Sequence, residues 1–162
     1  MDWGKKMSQE MFMKAAVDLA LDNVVTNRGG PFGAVIVKNG QIIAVGRNQV
    51  VANIDPSAHA EMQAIRAACR YLNSHELKDC EVYSSCEPCP MCLGAIYWSR
   101  LKAVYYACTN RDAAQIGFDD LFIYKQLALP MDKRSIPMKR IVPSNTYMPF
   151  NAWIHKTNKK NY

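Results

Sequence analysis

Asn39-Gly40 separates two short apolar runs, Ala34-Val35-Ile36-Val37 and Ile42-Ile43-Ala44-Val45. Both turn residues tolerate positive φ, so the arrangement predicts a β-hairpin with a two-residue loop. Upstream, Phe12, Ala15, Ala16, Leu19, Ala20 and Val24 recur at helical spacing and predict a helix over 9–25, broken by Arg28-Gly29-Gly30-Pro31. Downstream, helices and strands alternate. Asp55-Pro56-Ser57 reads as a turn ahead of a helix over 58–72, with Met62, Ile65, Cys69 and Leu72 on its buried face. A strand over 80–84, a helix over 91–98, a strand over 103–107, a helix over 121–129 and a short helix over 150–156 follow. An opening hairpin followed by such alternation implies a three-layer α/β sandwich around a mixed sheet.

The 162 residues are enough for one domain with a substantial core, and no repeat, linker or low-complexity tract divides them, so the expected domain is 1–162. No stretch approaches the ~20 continuous apolar residues of a membrane span. Met1-Asp2-Trp3-Gly4-Lys5-Lys6-Met7 lacks the apolar run of a secretory signal. Three of the six cysteines, Cys86, Cys89 and Cys92, crowd together, which suggests metal binding in a reducing compartment rather than disulfides; the expected location is the cytoplasm. Cys69, Cys80 and Cys108 sit in apolar patterns and read as core, while His75 and His155 read as surface. The net charge of +6 admits an anionic partner such as RNA, but the basic residues are scattered until the C-terminal part, and a solvated basic surface explains them.

Two segments carry chemistry: His59-Ala60-Glu61, and Pro88-Cys89-Pro90-Met91-Cys92, each at the predicted start of a helix. Together they match the signature of zinc-dependent nucleobase deaminases. His59, Cys89 and Cys92 supply the imidazole and two thiolates of a catalytic zinc site, which leaves one position for water. A Cys-x-x-Cys on a first helical turn aims both sulfurs at one metal, and the positive helix end favours thiolate. At a helix entrance Glu61 is free to approach the attacking water, take its proton and deliver it to the ring nitrogen and then to the leaving amine. Other readings are a redox pair, a structural zinc with Cys86 as fourth ligand, or an iron–sulfur run. The last lacks its fourth cysteine, since Ile96-Tyr97 stands there.

Beyond the signature, the chain resembles the guanine deaminases of the cytidine/deoxycytidylate deaminase superfamily. The resemblance runs through Gly29-Gly30-Pro31-Phe32-Gly33-Ala34, Asp55-Pro56-Ser57-Ala58-His59-Ala60-Glu61, Ser85-Cys86-Glu87-Pro88-Cys89, Gly117-Phe118-Asp119-Asp120-Leu121 and Phe150-Asn151-Ala152-Trp153, to Asn158-Lys159-Lys160-Asn161-Tyr162. It implies a mixed five-stranded sheet between two helical layers, one zinc per chain, and hydrolysis of guanine to xanthine and ammonia. Glu61 and Asp120 are then catalytic, and Phe32, Asn48, Ala60, Trp98 and Tyr162 contact the base. Guanine suits a carboxylate, because N1–H and the exocyclic amine are adjacent donors, whereas adenine turns a lone pair toward it. One of Asp119 and Asp120 is expected to cap the helix that follows. A tRNA adenosine deaminase, a deaminase of another base, nucleoside or aminotriazine, and a non-catalytic zinc module are the alternatives. Retention of Glu61, which ligates nothing, speaks against the last. The expected partners are a free purine base and a second copy of the chain, with nucleic acid less favoured and no membrane. Segment 141–162 is expected to reach the neighbouring subunit, its aromatic tip Tyr162 acting as a lid.

Overall fold

The structure is a computed structural model describing residues 8–162; the reading of Met1–Met7 lies outside the described residues. Helix α1 spans Gln9–Val25 and opens on Ser8, whose side chain accepts the Met11 N–H. The hairpin pairs β1 (Gly33–Lys38) with β2 (Gln41–Arg47), and Asn39 and Gly40 both take positive φ, as the turn requires. A short α2 (Val50–Asn53) and α3 (Ala60–Leu72) follow, then β3 (Cys80–Cys86), α4 (Pro90–Trp98) and β4 (Ala103–Cys108). The chain continues through α5 (Asn110–Gln115) and α6 (Asp120–Ala128) to α7 (Met148–His155).

The sheet order is β2-β1-β3-β4, with β3 and β4 parallel and the other neighbours antiparallel. Both faces are covered. Ala34 and Ile36 of β1, with Val82 of β3, pack against Ala60, Ala64, Ile65 and Ala68 of α3 and Ile96 of α4. The alternate residues, Val35 and Val37 with Tyr83, pack against Phe12 of α1. Every second side chain of β1 enters a different layer, so the run is apolar throughout rather than alternating. The three-layer reading therefore holds.

Among the described residues the sheet has four strands, not the expected five. Only four strand signals stand in the sequence; the fifth came with the resemblance. Beyond β4 the chain turns at once into α5, started by a capping box between Thr109 and Asp112, and among the described residues no later segment pairs with β4. The outer strand consequently carries exposed residues, Cys108 among them, which corrects its reading as core. Cys80 is buried and Cys69 half-buried, and His75 and His155 are exposed as expected. Among the described residues, no helix is long and apolar enough to cross a membrane.

Candidate active site

Two helix starts meet at the C-terminal end of β3. His59 is the N-cap residue of α3 and Cys89 that of α4. Pro90 occupies the first position of α4, where a missing N–H costs nothing, and the Cys89 sulfur accepts the Cys92 amide. The His59 Nδ1 lies 3.6 Å from the Sγ of Cys89 and 3.6 Å from the Sγ of Cys92. Zinc–nitrogen and zinc–sulfur bonds of about 2.1 and 2.3 Å at a tetrahedral angle require a nitrogen–sulfur edge of about 3.6 Å. The three donors fit the ion. Among the described residues they are the one such cluster, and Cys86 is outside it, which leaves the fourth position open rather than structural.

The electrostatics suit the same reading. The Cys92 thiol, with help from His59 and the Cys92 amide, draws the Cys89 thiol down to about 4 against the effect of burial. Cys92 is shifted upward, chiefly by the Cys89 sulfur and by burial, and a bound cation would draw off its proton. His59 is raised, first by its hydrogen bond to Cys89. Cys86 is pushed up to about 12, burial leading, and donates its S–H to the Thr109 carbonyl at 3.5 Å; it stays a thiol.

Glu61 is 6% exposed in the first turn of α3. Its Oε1 accepts the Ser84 hydroxyl at 3.0 Å, and its Oε2 lies 3.5 Å from the Cys92 sulfur. Burial raises its pKa, while the Ser84 bond opposes the rise. A carboxyl so placed, beside the donor cluster but not in it, is equipped to take up and release a proton.

Glu61, His59 and Cys89 face one cavity of about 400 Å³, whose lining also includes Phe32, Asn48 and Asp120. Asp119 caps α6 by accepting the Phe122 N–H at 3.1 Å, which leaves Asp120 free to face the cavity. Burial and the Cys89 thiolate raise the Asp120 pKa. Asn48 is buried, and its Oδ1 accepts the Val50 amide at 3.3 Å, so its amino group is the side left for a ligand. Ala60 is wholly buried beneath Gly46 and does not line the cavity. Trp98 and Tyr162 lie away from it, 5.8 Å apart between ring centroids, at the far end of α4 with Ile65, Cys69 and His75.

The structure adds residues that sequence reading did not single out. Phe118 meets Phe32 edge to face at 4.9 Å and 88°, forming an aromatic wall; its one sequence signal was adjacency to Asp119-Asp120. Asn23, wholly buried in α1, donates to the carbonyls of Gly30 and Asn48 at 2.8 and 2.9 Å. Neither Asn23 nor Ser84 belongs to a motif, and only tertiary packing brings them here.

A buried carboxyl beside a histidine–dicysteine cluster at two helix starts defines a zinc-dependent hydrolytic deaminase site. The chain belongs to the cytidine and deoxycytidylate deaminase family, whose zinc-binding region matches residues 6–108. It is 54% identical to the guanine deaminase of Bacillus subtilis over 96% of this chain and 100% of that protein. The solved structure of that enzyme superposes with a TM-score of 0.94, covering 96% of this chain and 99% of the other. The tRNA-specific adenosine deaminase of Aquifex aeolicus is 42% identical over 65% of this chain and 69% of its own length.

Proposed function

We propose that the protein hydrolyses guanine to xanthine and ammonia. The observation that carries this reading is the division of labour between two adjacent carboxylates: Asp119 caps α6, and Asp120 lines the cavity with Glu61, His59 and Cys89. Asp120 accepts the N1–H and 2-amino donors of guanine together. Phe32, braced by Phe118, stacks on the base, and the Asn48 amino group donates to a purine acceptor atom.

His59, Cys89 and Cys92 would hold the zinc, which when bound lowers the pKa of water enough to supply hydroxide near neutral pH. Glu61 takes the proton released by the attacking water and carries it to the ring nitrogen beside C2; it then takes the remaining proton of the new C2 hydroxyl and passes it to the departing amine, which leaves as ammonia. Its buried, Ser84-bonded carboxyl has the raised pKa that a proton carrier needs. Water adds at C2, the C2–amine bond breaks, and the new oxygen remains on the ring. The test is ammonia release from guanine, guanosine, adenine, cytosine and tRNA, together with zinc analysis. Guanine is the expected substrate, and Glu61→Gln should retain zinc and lose nearly all turnover. Deamination of tRNA but not guanine would overturn the assignment.

We read residues 1–162 as one domain working as a homodimer, with segment 141–162 crossing to the partner. Ile141, Phe150 and Ile154 are exposed, with no burial for α7 in its own chain, which supports a second copy as their cover. Tyr162, at the tip of the crossing segment, would then complete the partner's cavity. Complementation tests this. A variant lacking 157–162 and a full-length Glu61→Ala variant are each expected to be nearly inactive, and joint refolding should restore part of the activity. No restoration would refute the exchange. Reduced cysteines and thiolate ligands favour the cytoplasm as the location.

A further inference from the structure

Helix α6 buries none of its residues, yet it carries Asp120, whose distance from the zinc corner must be held if the base is to meet Glu61 correctly. Tyr124 lies one turn beyond Asp120 and shares its helix face. Its hydroxyl donates to the Pro88 carbonyl at 2.9 Å. That carbonyl belongs to the peptide unit leading into Cys89, so the bond joins the base-holding helix to the backbone that aims a zinc ligand. Other hydrogen bonds to the zinc loop come from the end of β4 and the start of α5, where the Asn110 amide donates to Glu87 Oε2 at 3.0 Å, the Glu87 amide to the Cys108 carbonyl at 2.8 Å, and the Cys86 thiol to the Thr109 carbonyl at 3.5 Å. Between them and α6 stands Gly117 with φ +95°, a turn closed by the Gly117 and Phe118 amides on the Ala114 and Ala113 carbonyls, and past it α6 is joined to the zinc loop by the Tyr124 bond.

We infer that Tyr124 is a positioning residue: its hydroxyl sets the separation between Asp120 and the metal corner. The inference rests on the base-holding role proposed for Asp120. Loss of the hydroxyl lets α6 shift away from the Pro88 carbonyl while the zinc ligands stay in place, so the base is held off line from Glu61.

The test is Tyr124→Phe, which keeps the ring and removes one oxygen, with Tyr124→Leu as a comparison for ring packing. Expected for Tyr124→Phe are one zinc per chain, an almost unchanged KM for guanine and a fall in kcat of about 10- to 100-fold. Hydrogen exchange should quicken in 117–128 and stay unchanged in 60–72 and 80–98. In an Asp120→Asn background the same change should cost less than about threefold further, because the group being positioned is gone. A purely structural role would lower melting temperature and zinc content and would give independent losses in the double variant. Unchanged exchange in 117–128, an unchanged kcat, or fully additive losses would overturn the inference. Wild-type inactivity on guanine would refute the substrate assignment instead, and the exchange measurement would still decide the role of Tyr124.

Discussion

Gly46 in β2 lies beneath the first turn of α3. A methyl group there would stand 2.0 Å from the Ala60 carbonyl oxygen and 2.6 Å from the Ala64 amide nitrogen. Both neighbours are helix backbone and cannot rotate aside. The contact must open from 2.0 Å to the 3.4 Å at which ordinary packing begins, a shift of about 1.4 Å. Over-packing of a well-filled core costs about 1–3 kcal/mol, and a clash of backbone against strand belongs at the upper end. At about 2–4 °C per kcal/mol for a chain of this size, Gly46→Ala should lower the melting temperature by about 6–12 °C. Ala60 stands between His59 and Glu61, so the displacement is passed directly to a zinc ligand and the proton carrier. A misplacement of about 1 Å can reduce turnover on the order of 100-fold. The assay pairs a melting curve with kcat and zinc content, measured well below the transition. A variant with a melting temperature within about 2 °C of the parent and an unchanged kcat would refute the close packing of α3 on β2 that underlies the argument.

Asp119 and Asp120 should separate cleanly in mutagenesis. Asp119→Ala loses a helix cap worth about 1 kcal/mol with kcat nearly unchanged, whereas Asp120→Asn lowers kcat/KM for guanine by at least about 100-fold; steady-state kinetics and melting curves distinguish them. Ser84→Ala removes the bond that opposes the upward shift of Glu61, so the carboxyl stays protonated to higher pH and the acid limb of the kcat/KM profile should move upward; an unmoved limb counts against Glu61 as the base. Asp55 is lowered first by the Ser57 hydroxyl and then by the Ser57 amide. Its contribution to stability is present above the ordinary 3.8 and is lost as pH falls through the lower folded value. Asp55→Asn should therefore flatten the decline in melting temperature as pH falls from the ordinary 3.8 to the lower folded value, as thermal unfolding across pH would record.

The zinc ligands and Glu61 were legible because they depend on local chemistry. A histidine, a carboxylate and a Cys-x-x-Cys must stand at helix starts, and the signals for those starts, Asp55-Pro56-Ser57 and Pro88-Cys89-Pro90, lie in the adjoining residues. The hairpin at Asn39-Gly40 and the layered architecture were legible for the same reason, since turn chemistry and hydrophobic period are properties of short segments. Only the tertiary structure decided which of two neighbouring aspartates caps α6, because that depends on how the turn at Gly117 presents them. It also decided the strand count, because whether a later segment pairs with the edge of β4 depends on where the chain beyond α5 is carried. The placing of Asn23, Ser84, Phe118 and Tyr124 around the cavity was likewise a tertiary outcome. Each reaches its partner across a long separation in sequence, as Tyr124 reaches Pro88 and Ser84 reaches Glu61, and no local pattern encodes a contact that exists only once the layers have packed.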